Sequence, residues 1–131
     1  MKKLLGIVVL GLLWSGNLFA SNLVGKQLQC GVSSYRTSGN VEYLKFINDR
    51  EIQAFYISDT TLKVYKREYT YSVLPTEIRL YWINFDHYTI SRKTLKTSEG
   101  KSCKIVEFNI QNKLEKESQK LLEAAQKDNK I

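Results

Sequence analysis

The chain has 131 residues, with 20 Lys+Arg against 13 Asp+Glu for a formal charge of +7, and 43% of it is hydrophobic. That length leaves room for one packed core and not two. With 11% aromatic residues and a single proline, the chain is neither disordered nor collagen-like.

The N-terminus reads as an export signal. Met1-Lys2-Lys3 is a short positive region, Leu4 to Leu13 is an almost unbroken apolar run, and the stretch from Trp14 to Ala20 turns polar and small. Charge, apolar core and small terminal residue in that order predict a cleavable signal peptide over 1–20, cut after Ala20. The apolar run is too short for a membrane anchor, which needs roughly 20 apolar residues. Cys30 follows Lys26-Gln27-Leu28-Gln29 and lacks the small residue that a lipidation site requires before its cysteine. Losing Lys2 and Lys3 with the signal leaves 111 residues with 18 basic against 13 acidic, a formal charge of +5. Nothing else in the mature chain is apolar enough to span a membrane, so the expected location is the periplasm.

The pattern from residue 26 to residue 108 has a period of two, which predicts an antiparallel β domain over 21–108. From Lys26 to Val32, Leu28, Cys30 and Val32 share one face. Val41 to Ile47 and Ile52 to Ser58 are rich in β-formers but carry apolar residues on both faces, as in a strand buried on both sides or one with a bulge. In Leu62 to Val73, Tyr69, Tyr71 and Val73 alternate with Glu68, Thr70 and Ser72. Ile78, Leu80 and Trp82 alternate with Arg79 and Tyr81, which predicts Tyr81 on the outer surface. Tyr88 and Ile90, a short Thr94–Lys96 piece and Cys103 to Phe108 complete the pattern. Turn residues separate these runs, among them Ser38-Gly39-Asn40, Asn48-Asp49, Ser58-Asp59-Thr60, Pro75-Thr76 and Asn84-Phe85-Asp86. Links this short pair successive strands antiparallel. The expectation is a mainly β fold, an antiparallel meander of seven or eight strands forming a small barrel or a strongly curved sheet.

Residues 109–131 change period. Ile110, Leu114, Leu121, Leu122 and Ala125 recur at helical spacing, and Glu123–Lys127 and Glu117–Lys120 are favourable pairs on the polar side. This is a C-terminal amphipathic helix with a narrow apolar stripe, able to cover the open end or edge of a sheet, or the concave face of an open one.

Cys30 and Cys103 are the only cysteines, one in the first predicted strand and one in the last. In an exported chain an even count reads as one disulfide, with two unpaired thiols as the alternative. A bond would make the first and last strands neighbours, as barrel closure requires. No C-x-x-C is present and no histidine lies near either cysteine, so redox and metal roles are not indicated.

Little else points to chemistry. His87 is the only histidine, and Asp86 beside it would point to the opposite face of a strand. No nucleophile motif, metal-ligand spacing or phosphate-binding loop accompanies it. His87 is therefore expected at a surface turn, and neither catalysis, a metal nor a cofactor is expected. The tyrosines are more unusual, with Tyr65, Tyr69, Tyr71, Tyr81 and Tyr88 falling within 24 residues alongside Trp82. Tyr69, Tyr71 and Trp82 are candidates to line a cavity for a small apolar ligand, although aromatics also simply fill small cores. Lys66, Arg67, Arg92, Lys93 and Lys96 are candidates for a basic patch facing an anionic surface or another envelope component. Edge lysines also guard a sheet against aggregation, and export argues against nucleic acid.

The layout Gly25-Lys26-x-Leu28-x-Cys30, then Tyr43-Leu44-Lys45-Phe46, Tyr65-Lys66-Arg67-Glu68-Tyr69-x-Tyr71 and Tyr88-x-Ile90-x-Arg92-x-Thr94-Leu95, resembles small uncharacterised exported proteins of marine alphaproteobacteria. The resemblance spans about residues 1–106 and implies a compact, calycin-like β fold with no established activity. More loosely, a disulfide-stapled periplasmic barrel is similar to the lysozyme-inhibitor barrels, although an inhibitor of a cationic lysozyme should be acidic and this chain is basic. The functional expectation is a non-catalytic, periplasmic small-ligand-binding module. The alternative is an envelope interaction module using the basic patch and the C-terminal helix.

Overall fold

The structure is a computed structural model, and it describes residues 23–31, 41–83 and 85–130. The proposed signal segment, Val32, the Ser38-Gly39-Asn40 turn and Asn84 lie outside the described residues. Seven strands and one helix follow in chain order: β1 (Gln27–Cys30), β2 (Glu42–Phe46), β3 (Glu51–Ile57), β4 (Val64–Val73), β5 (Glu77–Trp82), β6 (Phe85–Ser91), β7 (Cys103–Ile105) and α1 (Ile110–Asp128).

All neighbouring strands are antiparallel, in the order β6-β5-β4-β3-β2-β1-β7. The meander is thus uninterrupted from β1 to β6, and β7 returns to pair with β1. The sheet curls into a half-barrel whose edges are β6 and β7. The predicted Thr94–Lys96 piece is not a strand of the sheet. Lys96 and Thr97 instead make single bridges to Ser102 and Ile90, which span the gap between the two edges.

The disulfide joins Cys30 to Cys103 at directly paired positions of β1 and β7. It closes a loop of 73 residues, which the chain-entropy model values at about 4 kcal/mol. No unpaired cysteine accompanies it among the described residues.

Period two sorts the side chains onto two faces. The inner face holds Leu28 and Cys30 of β1, Leu44 and Phe46 of β2, and Ile52 and Ala54 of β3. Tyr69 and Tyr71 of β4, Ile78 and Leu80 of β5, Tyr88 and Ile90 of β6, and Cys103 of β7 belong to the same core. The outer face carries a second, smaller core of Tyr43, Phe55, Ile57, Ile110 and Leu114. Here α1 lies against β3 and β4, on the convex face of the sheet and not on the concave face or over an open end. This explains why β2 and β3 are apolar on both sides: the half-barrel core takes one face and the helix takes the other. The concave face was unavailable because tyrosine, leucine and isoleucine side chains already fill it.

Two strand boundaries differ from expectation. The last strand ends at Ile105 and not at Phe108, because the Gln27 side-chain amide donates to the carbonyls of Val106 (3.3 Å) and Phe108 (2.8 Å) and turns the chain toward the helix. Asn109 then caps α1, its side chain accepting from the Asn112 amide at 3.0 Å. The Asn84-Phe85-Asp86 turn is tighter than expected, since Phe85 and Asp86 already belong to β6 and Trp82 pairs with Phe85.

Candidate functional site

The registers bring the end of β1, the start of β2, the start of β4 and the tip of the β5–β6 hairpin to one end of the half-barrel. At this end the inner face changes from apolar to polar. Glu42 continues the row of Leu44 and Phe46, and Arg67 continues the row of Tyr69 and Tyr71. Between them opens a cleft of about 200 Å³, lined by Cys30, Glu42, Tyr56, Arg67, His87, Tyr88, Thr97, Glu99 and Lys101.

Two buried tyrosines hold Glu42. The Tyr69 hydroxyl donates to one carboxylate oxygen and the Tyr88 hydroxyl to the other, each at 2.7 Å. Both phenols hold their protons well above the ordinary tyrosine value, first because they are buried and second because the Glu42 carboxylate opposes a neighbouring phenolate. On Tyr69 the nearby Arg67 cation works in the opposite direction and offsets part of the rise. Tyr69 and Tyr88 therefore act as fixed donors that aim the carboxylate.

Aromatic faces hold Arg67. Its guanidinium carbon sits 4.9 Å from the Tyr56 ring centre and 5.0 Å from that of Trp82. One Nη donates to the Tyr56 hydroxyl at 3.2 Å. Tyr56 is itself stacked on Tyr65, with ring centres 5.8 Å apart.

His87 reaches the cleft through a β-bulge. Leu80 pairs with Tyr88, but the next residue, Tyr81, pairs with Asp86, so His87 is the extra residue of β6. The bulge breaks the strict alternation that would have sent His87 and Tyr88 to opposite faces. The imidazole packs 4.7 Å from the Tyr88 ring, 4.9 Å from Tyr69 and 6.3 Å from Trp82. A surface turn was expected for His87; it is half-buried within a strand.

The other sequence candidates are dispersed. Tyr69 and Tyr71 are core residues: Tyr69 is 1% exposed, and Tyr71 packs edge-on against Phe46 while donating to the Asn48 carbonyl at 2.6 Å. Trp82 stands at the rim, 39% exposed. Of the basic residues, Lys66 and Arg67 are consecutive in β4 and lie on opposite faces of the sheet. Arg92 and Lys93 lie in the turn after β6, at the end away from the cleft, where Arg92 donates to the Leu74 carbonyl at 3.1 Å. Lys96 lies on the bridging segment. Tyr81 is on the outer face, its hydroxyl 3.3 Å from that of Ser72.

Sequence reasoning missed Glu42 and Tyr56. A signal for Glu42 was present, since it shares the alternating face of Leu44 and Phe46 and so places a carboxylate on an apolar row. Tyr56 carried no such signal, because β3 is apolar on both faces.

Among the described residues no three His, Cys, Asp or Glu side chains are close enough to hold a metal ion, and no helix is long and apolar enough to cross a membrane. No protein-family model, curated protein or solved structure matches this chain.

Proposed function

We propose that this chain is an exported, calycin-like, non-catalytic binding module that takes a small polar ligand at the open end of its half-barrel. The observation that carries this reading is the cleft itself. An arginine clamped between two aromatic faces and a carboxylate clamped between two tyrosine hydroxyls form its walls. Groups fixed in advance lose little conformational freedom on binding, which is the general advantage of a preorganised site. The expected small apolar ligand suits this site poorly, because the lining is dominated by charged and hydroxyl groups and the apolar interior is occupied by the protein's own side chains. The disulfide supports export, since such bonds persist in oxidising compartments, and a periplasmic location follows if residues 1–20 act as a signal.

Native mass spectrometry of protein recovered from exporting cells tests this reading. The expected result is an oxidised chain beginning at Ser21 that carries a non-covalent small-molecule mass, lost in Arg67→Ala. A bare wild-type chain that also shows no melting shift with millimolar panels of sugars, amino acids and small acids overturns it.

A second reading has its own support. At the tip of the β5–β6 hairpin, Ile83 is 68% exposed and Phe85 is 74% exposed beside Trp82, and Leu121 is exposed on the far half of α1. Apolar groups displayed this way suit a protein–protein contact in the envelope. Binding through the tip would survive Arg67→Ala and fail in Ile83→Asp.

A further inference from the structure

The cleft holds charges of both signs that do not pair with one another. Arg67 and Lys101 line it together with Glu42 and Glu99. The Arg79–Glu77 and Lys113–Glu117 ion pairs both lie away from the cleft. Opposite charges confined in about 200 Å³ would ordinarily collapse onto each other. Here they are held apart by neutral neighbours, Glu42 by the Tyr69 and Tyr88 hydroxyls and Arg67 by the Tyr56 and Trp82 rings. The clamps orient each charge without cancelling it. Arg67 donates to the Tyr56 hydroxyl and also interacts with the Tyr69 hydroxyl, which leaves further N–H groups of its five to meet an anion.

We infer that the cleft binds a small zwitterion, a free amino acid or a dipeptide, with its carboxylate on Arg67 and its ammonium on Glu42. This deepens the binding-module reading and rests on it. A planar guanidinium edge is matched to a carboxylate, which it can hold through two parallel hydrogen bonds. Glu42, with each oxygen already accepting one phenol, keeps lone pairs for an ammonium. Lys101 and Glu99 at the mouth repeat the two signs and steer the same dipole. A ligand with one charge would leave the opposite pair in the cleft unmet, which is what selects against it. The volume, roughly seven times the share of one water molecule, is enough for an amino acid or a dipeptide.

Calorimetric titration of the full chain with alanylalanine, its N-acetyl form and its C-terminal amide tests the inference. The free dipeptide is expected to bind, and each blocked form to bind at least tenfold more weakly. Arg67→Gln should weaken the free dipeptide and abolish its advantage over the amide while keeping the advantage over the N-acetyl form. Glu42→Gln should do the reverse. Because Glu42 supports two buried tyrosines and its variant can fail to fold, Glu99→Gln and Lys101→Gln at the mouth provide the second readout, each weakening the free dipeptide two- to fivefold. Equal binding of free and blocked forms overturns the inference, as does binding indifferent to Arg67→Gln. If neither dipeptides nor amino acids bind but an uncharged sugar does, the inference fails and the binding-module reading stands. If nothing in either panel binds, both fail.

Discussion

At the scale of single residues, the Glu42 carboxylate is where the fold and the cleft share the same atoms. Its two hydrogen bonds come from Tyr69 and Tyr88, which belong to the inner core. Tyr88→Phe removes one donor and leaves a charged acceptor with a lost partner, which costs about 1.5–3 kcal/mol. Urea denaturation should show it as a lower midpoint with an unchanged slope. The same phenols set an alkaline limit. Burial first, and the Glu42 charge second, raise both above the ordinary tyrosine value of 10.0, so the folded state holds these protons more tightly than the unfolded chain. Their contribution is complete below pH 10 and is lost as pH rises from there toward the folded-state values. Absorbance at 295 nm should therefore show a set of tyrosines ionising near pH 10 and a second set ionising only as the protein unfolds. A single transition near pH 10 with the fold intact would contradict the arrangement around Glu42.

At the scale of elements, the fully buried residues of α1 fall in its first half. Ile110, Leu114 and Ser118 are buried, and the Ser118 hydroxyl donates to the Leu62 carbonyl at 2.5 Å, where the β3–β4 loop ends the sheet. Beyond Ser118 the same face continues through Leu122 and Ala125, which are half-buried, while Leu121 is exposed. Leu114→Ala should cost about 2–5 kcal/mol, whereas Leu121→Ala should stay within about 0.5 kcal/mol, and paired thermal melts distinguish them. Removing the helix cap with Asn109→Ala should cost about 1 kcal/mol in the same assay. The β5–β6 hairpin carries the opposite kind of feature. Ile83 sits at φ 50°, in the left-handed region, where a β-branched side chain crowds its own backbone. Ile83→Gly should raise stability by about 1 kcal/mol, since the residue is 68% exposed and gives up little burial. A loss of stability there would mean that Ile83 packs against something.

At the scale of the whole molecule, the disulfide and the two bridges at Lys96 and Thr97 are what keep β7 beside β1 and the two edges of the half-barrel near each other. β7 has three residues and pairs with the sheet on one side, through β1. A strand so short contributes little by itself, so the covalent link to Cys30 carries its placement. Replacing both cysteines with alanine should lower stability by up to about 4 kcal/mol, and hydrogen exchange should show β7 and the residues around Thr97 losing protection before β3 and β4. Because Thr97, Glu99 and Lys101 line the cleft, the same variant should also loosen the site.

Much of this architecture was legible in the chain. Period-two alternation from Leu28 to Ile90, short turn-rich links and a switch to helical spacing after Asn109 determined an antiparallel meander with a terminal helix, because pattern and link length are local properties. An even pair of cysteines in the first and last strands indicated the bond that joins them. Three things were decided only by tertiary structure. The helix lies on the convex face because Phe55 and Ile57 needed cover there and the concave side was already full, a competition between distant segments that no local window contains. His87 enters the interior because of one bulge, and a bulge inverts the face of a residue without changing its neighbours in sequence. The cleft exists because Glu42, Tyr56, Arg67 and His87, on four different strands, arrive at one end of the sheet. Their registers are set by cross-strand pairing, and pairing is a relation between strands that the order of residues along one of them does not record.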